Sequence, residues 1–98
     1  MIKVLIERLC KAGKERTLEG LIKDLRAESL FQPGYVSGET LVGINNPRSF
    51  LVISTWAGLN SWDAWKNSQA RLEIENMISP LTIGAPIIRI YSQLLEEV

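Results

Sequence analysis

The apolar positions of this chain recur with two spacings, and those spacings predict strands and helices. Residues 2–10 have the two-residue spacing of a strand. It places Glu7 between Leu5 and Leu9 on one face and the remaining apolar side chains on the other. From about Lys14 the apolar residues follow the i, i+3, i+4, i+7 spacing of a helix. The turn residues 32–34 (Gln-Pro-Gly) end that helix.

A β-hairpin is predicted next. Residues 35–42 alternate as a strand, although Gly38 in the middle indicates a bulge or a close approach of another group. The turn residues 45–47 (Asn-Asn-Pro) lead into a third strand, from Ser49 to Trp56. Residues 50–53 of that strand are apolar without alternation, so both of its faces are expected to be covered.

The last part of the chain predicts a helix in two halves and a final strand. Asn60 is the expected N-cap of the first half, and Ser68 is the expected N-cap of the second. The apolar stripe of the second half is made by Ile74, Met77, Ile78 and Leu81. The final strand is expected to run from Ile87 to about Leu95, with an acidic tail after it.

This order of elements predicts an α+β fold, a ferredoxin-like βαββαβ sandwich with a four-stranded antiparallel sheet. The 98 residues correspond to a single domain, residues 1–98. Two helices cover only one face of such a sheet, so the other face would expose apolar side chains to water. A bare apolar face of this kind usually marks an interface, and a homodimer through the sheet faces is therefore expected.

The charge balance and the counts of cysteine and histidine narrow the function classes. Eleven basic and eleven acidic residues cancel, which argues against a nucleic-acid partner because such partners select a basic face. No apolar run reaches the ~18 residues of a transmembrane helix, so no membrane association is expected. The single cysteine, Cys10, excludes an intrachain disulfide and fits the cytoplasm. Without histidine the usual zinc and haem ligands are missing, and no metal site is predicted.

Several short motifs occur in an order and spacing that resemble a known family. They are Gln32-Pro33-Gly34-Tyr35, Gly38-Glu39, Asn46-Pro47, Phe50-Leu51-Val52, Thr55-Trp56 and Trp62-x-x-Trp65-x-x-Ser68. Together they are similar to the antibiotic biosynthesis monooxygenase (ABM) domain family, over nearly the whole chain. The resemblance implies a dimeric α/β barrel, in which two subunits pack sheet to sheet and each has a pocket between sheet and helices. Branches of the family oxygenate polycyclic phenols without a cofactor, oxidise quinols or degrade haem.

The haem-degrading branch allows a comparison of single positions. Its pattern has an Asn on the first strand, a Trp on the helix after the third strand, and a His further along. Aligned without gaps, these positions are Glu7, Trp65 and Glu75 here, so only the tryptophan matches. The resemblance therefore implies a monooxygenase or quinol oxidase for a small aromatic or phenolic substrate. Molecular oxygen would be the co-substrate, with no cofactor.

The same alignment implies a site. Trp65 is expected at the pocket wall, where its ring would stack on an aromatic substrate, whereas Trp56 and Trp62 are expected in the core. Glu7 and Glu75 would look into one apolar cavity as catalytic carboxylates. A buried carboxylate holds a proton more readily than a solvated one, which suits a base for a phenol. The predicted substrate contacts are Leu5, Leu9, Arg71 and Leu72.

Simpler interpretations of these residues stay open. In them Glu7 pairs with a neighbouring Lys or Arg, while Glu75 and Arg71 are solvated helix residues. Arg8 and Arg89 are strand residues that could form ion pairs on the sheet faces. Two other functions also stay open. One is a non-catalytic dimeric module that binds a small molecule; the other is an isomerase or lyase with Glu7 or Glu75 as proton shuttle.

Overall fold

The computed structural model describes residues 1–95 and has the predicted order of elements. The strands are β1 (Ile2–Leu9), β2 (Tyr35–Val42), β3 (Ser49–Trp56) and β4 (Ile87–Ser92). The helices are α1 (Glu15–Ser29), α2 (Leu59–Lys66) and α3 (Gln69–Ile78), followed by a 3₁₀ turn, Ser79–Leu81. The strands form one antiparallel sheet in the order β2-β3-β1-β4, which confirms the ferredoxin-like α+β fold. The predicted acidic tail, residues 96–98, lies outside the described residues.

The sheet has two unlike faces, and the alternation of β1 shows the difference. Val4, Ile6 and Arg8 are buried on the side that α1 and α3 cover, which we call the helix face. The opposite side, which we call the open face, is less buried. By strand register, the apolar residues of the open face are Leu5, Leu9, Leu41, Leu51, Ile53, Ile87 and Tyr91, and its charged residues are Lys3, Glu7, Glu39 and Arg89. The alternation predicted for residues 2–10 is therefore confirmed.

The helices pack on the helix face with the expected apolar stripes, with one exception. Leu18 and Ile22 of α1 join Ile74 and Ile78 of α3 in a buried cluster that Cys10 and Phe50 complete. Met77 is 52% exposed, so its place in the predicted stripe is wrong. The buried line of α3 runs through Arg71, Ile74 and Ile78, and Met77 lies to the side of that line.

The ends of the elements follow the sequence closely, with two corrections. The Oγ of Ser68 accepts the N–H of Arg71 at 3.2 Å, which confirms Ser68 as the N-cap of α3. Helix α2 begins at Leu59 with Gly58 as its N-cap, so the prediction of Asn60 was wrong by two residues. Strand β4 ends at Ser92 rather than near Leu95, because Ser92 already pairs with Ile2 at the start of β1. In the part of the chain that the structure describes, no helix combines the length and apolarity needed to cross a membrane.

Candidate active site

A cavity of about 50 Å³ lies between the helix face and the helices. Its wall is mostly apolar and aromatic, and it also contains arginines. The side chains that define it are Ile6, Tyr35, Val52, Trp56, Trp62, Trp65, Arg8 and Arg71. We call it the tryptophan–arginine cavity.

The three tryptophans form one aromatic wall. Trp56 is the last residue of β3, while Trp62 and Trp65 are three positions apart on α2 and so share a side of that helix. The ring of Trp56 meets Trp62 edge-on at 6.0 Å and stacks on Trp65 at 6.5 Å between centroids. Trp65 lies at the cavity as expected. Trp56 and Trp62 are core residues as expected, each 1% exposed, and they also border the same space as Trp65.

Tyr35 closes the wall beside Trp56, and Gly38 makes room for it. The two rings meet edge-on with centroids 5.2 Å apart. The ladder between β2 and β3 shifts register between Tyr35 and Ser37, and a Cβ on Gly38 would lie 2.6 Å from the Tyr35 Oη. The close approach expected at Gly38 is therefore confirmed, whereas the irregularity of the ladder lies before Gly38, which pairs regularly with Ser54.

Arg8 and Arg71 bring positive charge to the cavity and share one carboxylate. The Nη2 of Arg8 donates a short hydrogen bond to the Oε1 of Glu75, and the Nη2 of Arg71 lies 3.6 Å from the same oxygen. Arg71 and Glu75 are one helical turn apart on α3, while Arg8 comes from β1 across the core. The Nη1 of Arg71 also donates to the Lys66 carbonyl at 3.3 Å. Its guanidinium lies 5.3 Å from the centroid of Trp62, a cation–π contact.

Burial governs the electrostatics of these groups. Arg8 and Arg71 are only 4% and 6% exposed. Burial lowers the pKa of the Arg71 guanidinium, Arg8 lowers it further, and Glu75 opposes both effects. The Nε of Arg8 is buried and has no hydrogen-bond partner among residues 1–95. The site can therefore hold an aromatic group against its rings and supply positive charge to an oxygen atom of that group.

Glu7 is not part of this site, and the prediction that Glu7 and Glu75 look into one cavity is wrong. Glu7 lies on the open face, where its Oε2 accepts a hydrogen bond from the Nη1 of Arg89 at 2.9 Å. The alternation of β1 turns Glu7 away from the helices and turns Arg8 towards them. The gap-free alignment therefore selected the neighbour of the residue that reaches the cavity. The simpler interpretation, in which Glu7 pairs with an arginine, agrees with the structure.

The predicted substrate contacts divide in the same way. Arg71 borders the cavity, whereas Leu5 and Leu9 belong to the other side of β1, and Leu72 is 46% exposed on α3. Catalytic roles for Trp65 and Glu75 stay predictions. Arg8 was predicted only as an ion-pair residue of a sheet face. Its two-residue spacing from Ile6 places it on the face of Val4 and Ile6, but does not show that the helices cover this face. Among residues 1–95, no three Cys, Asp or Glu side chains are close enough together to hold a metal ion.

A ferredoxin-like sandwich with an aromatic cavity between sheet and helices defines the class of this protein, and comparison defines the family. The sequence model described as antibiotic biosynthesis monooxygenase matches residues 1–76. The chain therefore belongs to the antibiotic biosynthesis monooxygenase family.

Three individual proteins are similar to this chain, one in sequence and two in structure. Protein SchA of Streptomyces halstedii is 33% identical over 64 residues, which are 65% of this chain but only 17% of SchA. A candidate antibiotic biosynthesis monooxygenase from Nitrosomonas europaea superposes with a TM-score of 0.89 at 16% identity, over 97% of this chain and 100% of that chain. SnoaB, a cofactor-independent oxygenase from Streptomyces nogalater, superposes with a TM-score of 0.84 at 15% identity, over 97% of this chain and 95% of that chain. At these identities the two structures show a shared fold.

Proposed function

We propose that this protein is a cofactor-independent monooxygenase or quinol oxidase that acts on a small phenolic substrate in the tryptophan–arginine cavity. The observation that carries the proposal is the make-up of the cavity wall, where buried aromatic rings and buried guanidinium groups border the same space. Membership of the family supports the reaction class, as does the description of the structural neighbour SnoaB as a cofactor-independent oxygenase.

The cavity would prepare the substrate for reaction with oxygen. Trp56 and Trp65 offer ring faces for an aromatic substrate. The guanidinium groups of Arg8 and Arg71 favour the phenolate over the phenol, since a nearby positive charge stabilises an ionised oxygen. Glu75 holds the two arginines in place but does not border the cavity, so the phenolic proton leaves to solvent.

The bound phenolate then supplies the electrons itself. It transfers one electron to O₂, and the resulting substrate radical and superoxide combine to form a C–O bond. Where the attacked carbon is a CH₂ group, loss of water from the peroxide leaves a carbonyl. One oxygen atom stays in that carbonyl, and the other leaves in water with the two hydrogens. With a simple quinol, two electrons and two protons pass to O₂, which gives a quinone and hydrogen peroxide. The protein contributes positioning, desolvation and charge stabilisation.

Oxygen consumption with anthrone and with hydroquinones tests this function. We expect uptake of O₂ and, with anthrone, one atom of ¹⁸O from ¹⁸O₂ in the product carbonyl. Arg71→Gln should lower kcat/KM by about a hundredfold, the effect of removing one oxyanion-stabilising donor. Glu7→Gln is the matched control, because it neutralises a charge on the open face. Product formed at an unchanged rate without oxygen would overturn the oxygenase in favour of an isomerase or lyase, and saturable binding without turnover would favour a binding module.

We also propose that a second copy of this chain covers the open face. Leu51 and Ile53 are only half-buried there, and Leu41, Ile87 and Tyr91 are each more than two-fifths exposed. Apolar side chains on both sides of β3 are explained if a partner sheet packs on this face. Light scattering after size exclusion should give a dimer, and Leu51→Glu should give a folded monomer. Met77→Glu, on the exposed side of α3, is the control. A wild-type monomer at every concentration would contradict the proposal.

A further inference from the structure

The charged residues that line the tryptophan–arginine cavity are Arg8, Arg26, Arg71 and Glu39, and Glu75 pairs with two of these arginines from outside the lining. Three positive charges therefore meet two negative charges, which leaves one positive charge in excess. Within residues 1–95, Arg8 and Arg71 form ion pairs only with Glu75, so two guanidinium groups share one negative charge. Glu7 cannot supply a second, because it is paired with Arg89 on the opposite face of the sheet. Burying a charge without a partner is costly, and the surplus charge therefore calls for an anion.

The hydrogen-bond donors of the same arginines are also largely unused. Two guanidinium groups offer about ten N–H donors. Among the described residues they donate only two hydrogen bonds, one to the Glu75 carboxylate and one to the Lys66 carbonyl. The Nε of Arg8 is buried without any partner. An unmade hydrogen bond of a buried charged group is destabilising, and an incoming oxygen acceptor would remove that penalty.

The surroundings place an aromatic ring of the ligand next to the arginines. Arg71 lies over Trp62, and Trp62 contacts Trp56, which stacks on Trp65. A ring in contact with these side chains would therefore have its oxygen substituent close to the arginines. The cavity of about 50 Å³ is much smaller than the roughly 150 Å³ that holds a benzene in a protein core. A bound ring must therefore extend into the cavity mouth, and the further rings of a larger ligand such as anthrone would lie outside the cavity.

We propose that Arg8 and Arg71 form an anion subsite and that this cavity selects aromatic anions over neutral aromatic compounds, with Glu75 setting the strength of the attraction. This inference rests on the proposed function in one respect: the phenolate of the substrate would be the anion held there. It goes beyond that function because the charge preference applies to non-reacting ligands as well. Benzoate, a ring anion that cannot react, should therefore occupy the same place and inhibit turnover competitively.

Titration calorimetry with benzoate and with benzamide, its neutral analogue of similar shape, tests the subsite without oxygen or turnover. The wild-type protein should bind benzoate about tenfold more tightly than benzamide, the effect of one charge-assisted hydrogen bond. Arg71→Gln should bring this ratio close to one. Lys23→Gln is the control, since it removes an equal charge from a lysine whose side chain is 75% exposed on α1, and it should leave the ratio unchanged.

Glu75→Gln gives the sharpest result, because the expected change has the opposite sign. It removes the competing carboxylate but keeps an oxygen acceptor for Arg8, so benzoate should bind about tenfold more tightly than in the wild type. A purely structural role of Glu75 predicts weaker binding instead. Equal affinities for benzoate and benzamide in the wild type, or weaker benzoate binding by a Glu75→Gln variant with a native circular dichroism spectrum, would overturn the subsite. Charge-selective binding by a protein that consumes no oxygen would keep the subsite and refute only the oxygenase.

Discussion

Two neighbouring residues of β1 carry opposite charges to opposite faces of the sheet, and their ion pairs differ in surroundings. Arg8 pairs with Glu75 under the helices, where the side chains are 2% and 19% exposed. Glu7 pairs with Arg89 on the open face, where they are 44% and 51% exposed. A pair in water contributes about 0–1 kcal/mol. A buried pair must first overcome the desolvation of both charges, and an apolar replacement is often as stable. Stability alone therefore does not explain why Arg8 is buried.

The apolar residues of the two faces also differ in exposure, and those of the helix face are the more buried. On the central strands β1 and β3, the helix-face residues Val4 and Trp56 are at most 1% exposed, whereas Leu51 and Ile53 on the open face are only half-buried. The edge strand β4 is exposed on both faces, and Tyr91 on the open face remains 53% exposed. One face therefore holds the core and the site, and the other is available for a partner. Substitutions matched across the sheet measure this difference.

The largest effect is expected from aromatic residues. Trp56→Ala should lower the free energy of unfolding by about 4 kcal/mol, because it leaves a cavity among Tyr35, Trp62 and Trp65. Tyr91→Ala, on the open face, should cost about 1 kcal/mol or less. Urea unfolding of both variants at one low protein concentration checks this contrast. Similar losses would mean that the open face is as well packed in the single chain as the helix face.

A smaller effect is expected from the two ion pairs. For the buried pair, Glu75→Met leaves the guanidinium groups of Arg8 and Arg71 without a carboxylate and should cost about 3 kcal/mol. For the exposed pair, Glu7→Met leaves Arg89 in contact with water and should cost less than about 1 kcal/mol. The same urea experiment measures both, and added salt should weaken only the exposed pair noticeably. If the two losses are equal, the contrast between a buried and an exposed ion pair is refuted.

The fold was predictable because its signals are local. The alternation of β1 and the stripe through Leu18 and Ile22 depend on spacings within a single element. The break before Ser68 is likewise visible in a few residues. The homodimer stays a prediction, since a pattern that leaves one face apolar does not say what covers it.

The site was less predictable, because it depends on which face of β1 the helices cover. Leu5 and Leu9 make the open face nearly as apolar as the helix face, so the local pattern does not decide between Glu7 and Arg8. The contact of Arg8 with Glu75 joins residues 67 positions apart, and no periodicity shows such a contact. The part of the site that the sequence could predict was the pair of Arg71 and Glu75, because they are four positions apart on one helix.

The smallest effect concerns Cys10, which continues the buried side of β1 and is fully buried. Burial raises the pKa of the Cys10 thiol above its ordinary value of 9.0, Glu15 raises it further, and Arg48 opposes the shift. Because the folded state keeps this proton longer than the unfolded chain, the contribution to stability is complete below pH 9.0. It is lost as the pH rises from there through the folded pKa. Cys10→Ala should therefore flatten the alkaline fall in the free energy of unfolding, measured by urea titration at a series of pH values.

The reactivity of Cys10 also tests how well this end of β1 is buried. A buried thiol reacts only when the structure opens, so alkylation by iodoacetamide should be about a hundredfold slower than for an exposed cysteine. Lys11→Cys in a Cys10→Ala background supplies that exposed cysteine one position away, since Lys11 is exposed. Mass spectrometry of both proteins over time gives the two rates. Equal rates would show that this end of β1 opens readily. The neighbouring Arg8 would then be accessible to water, and the surplus positive charge would no longer be buried.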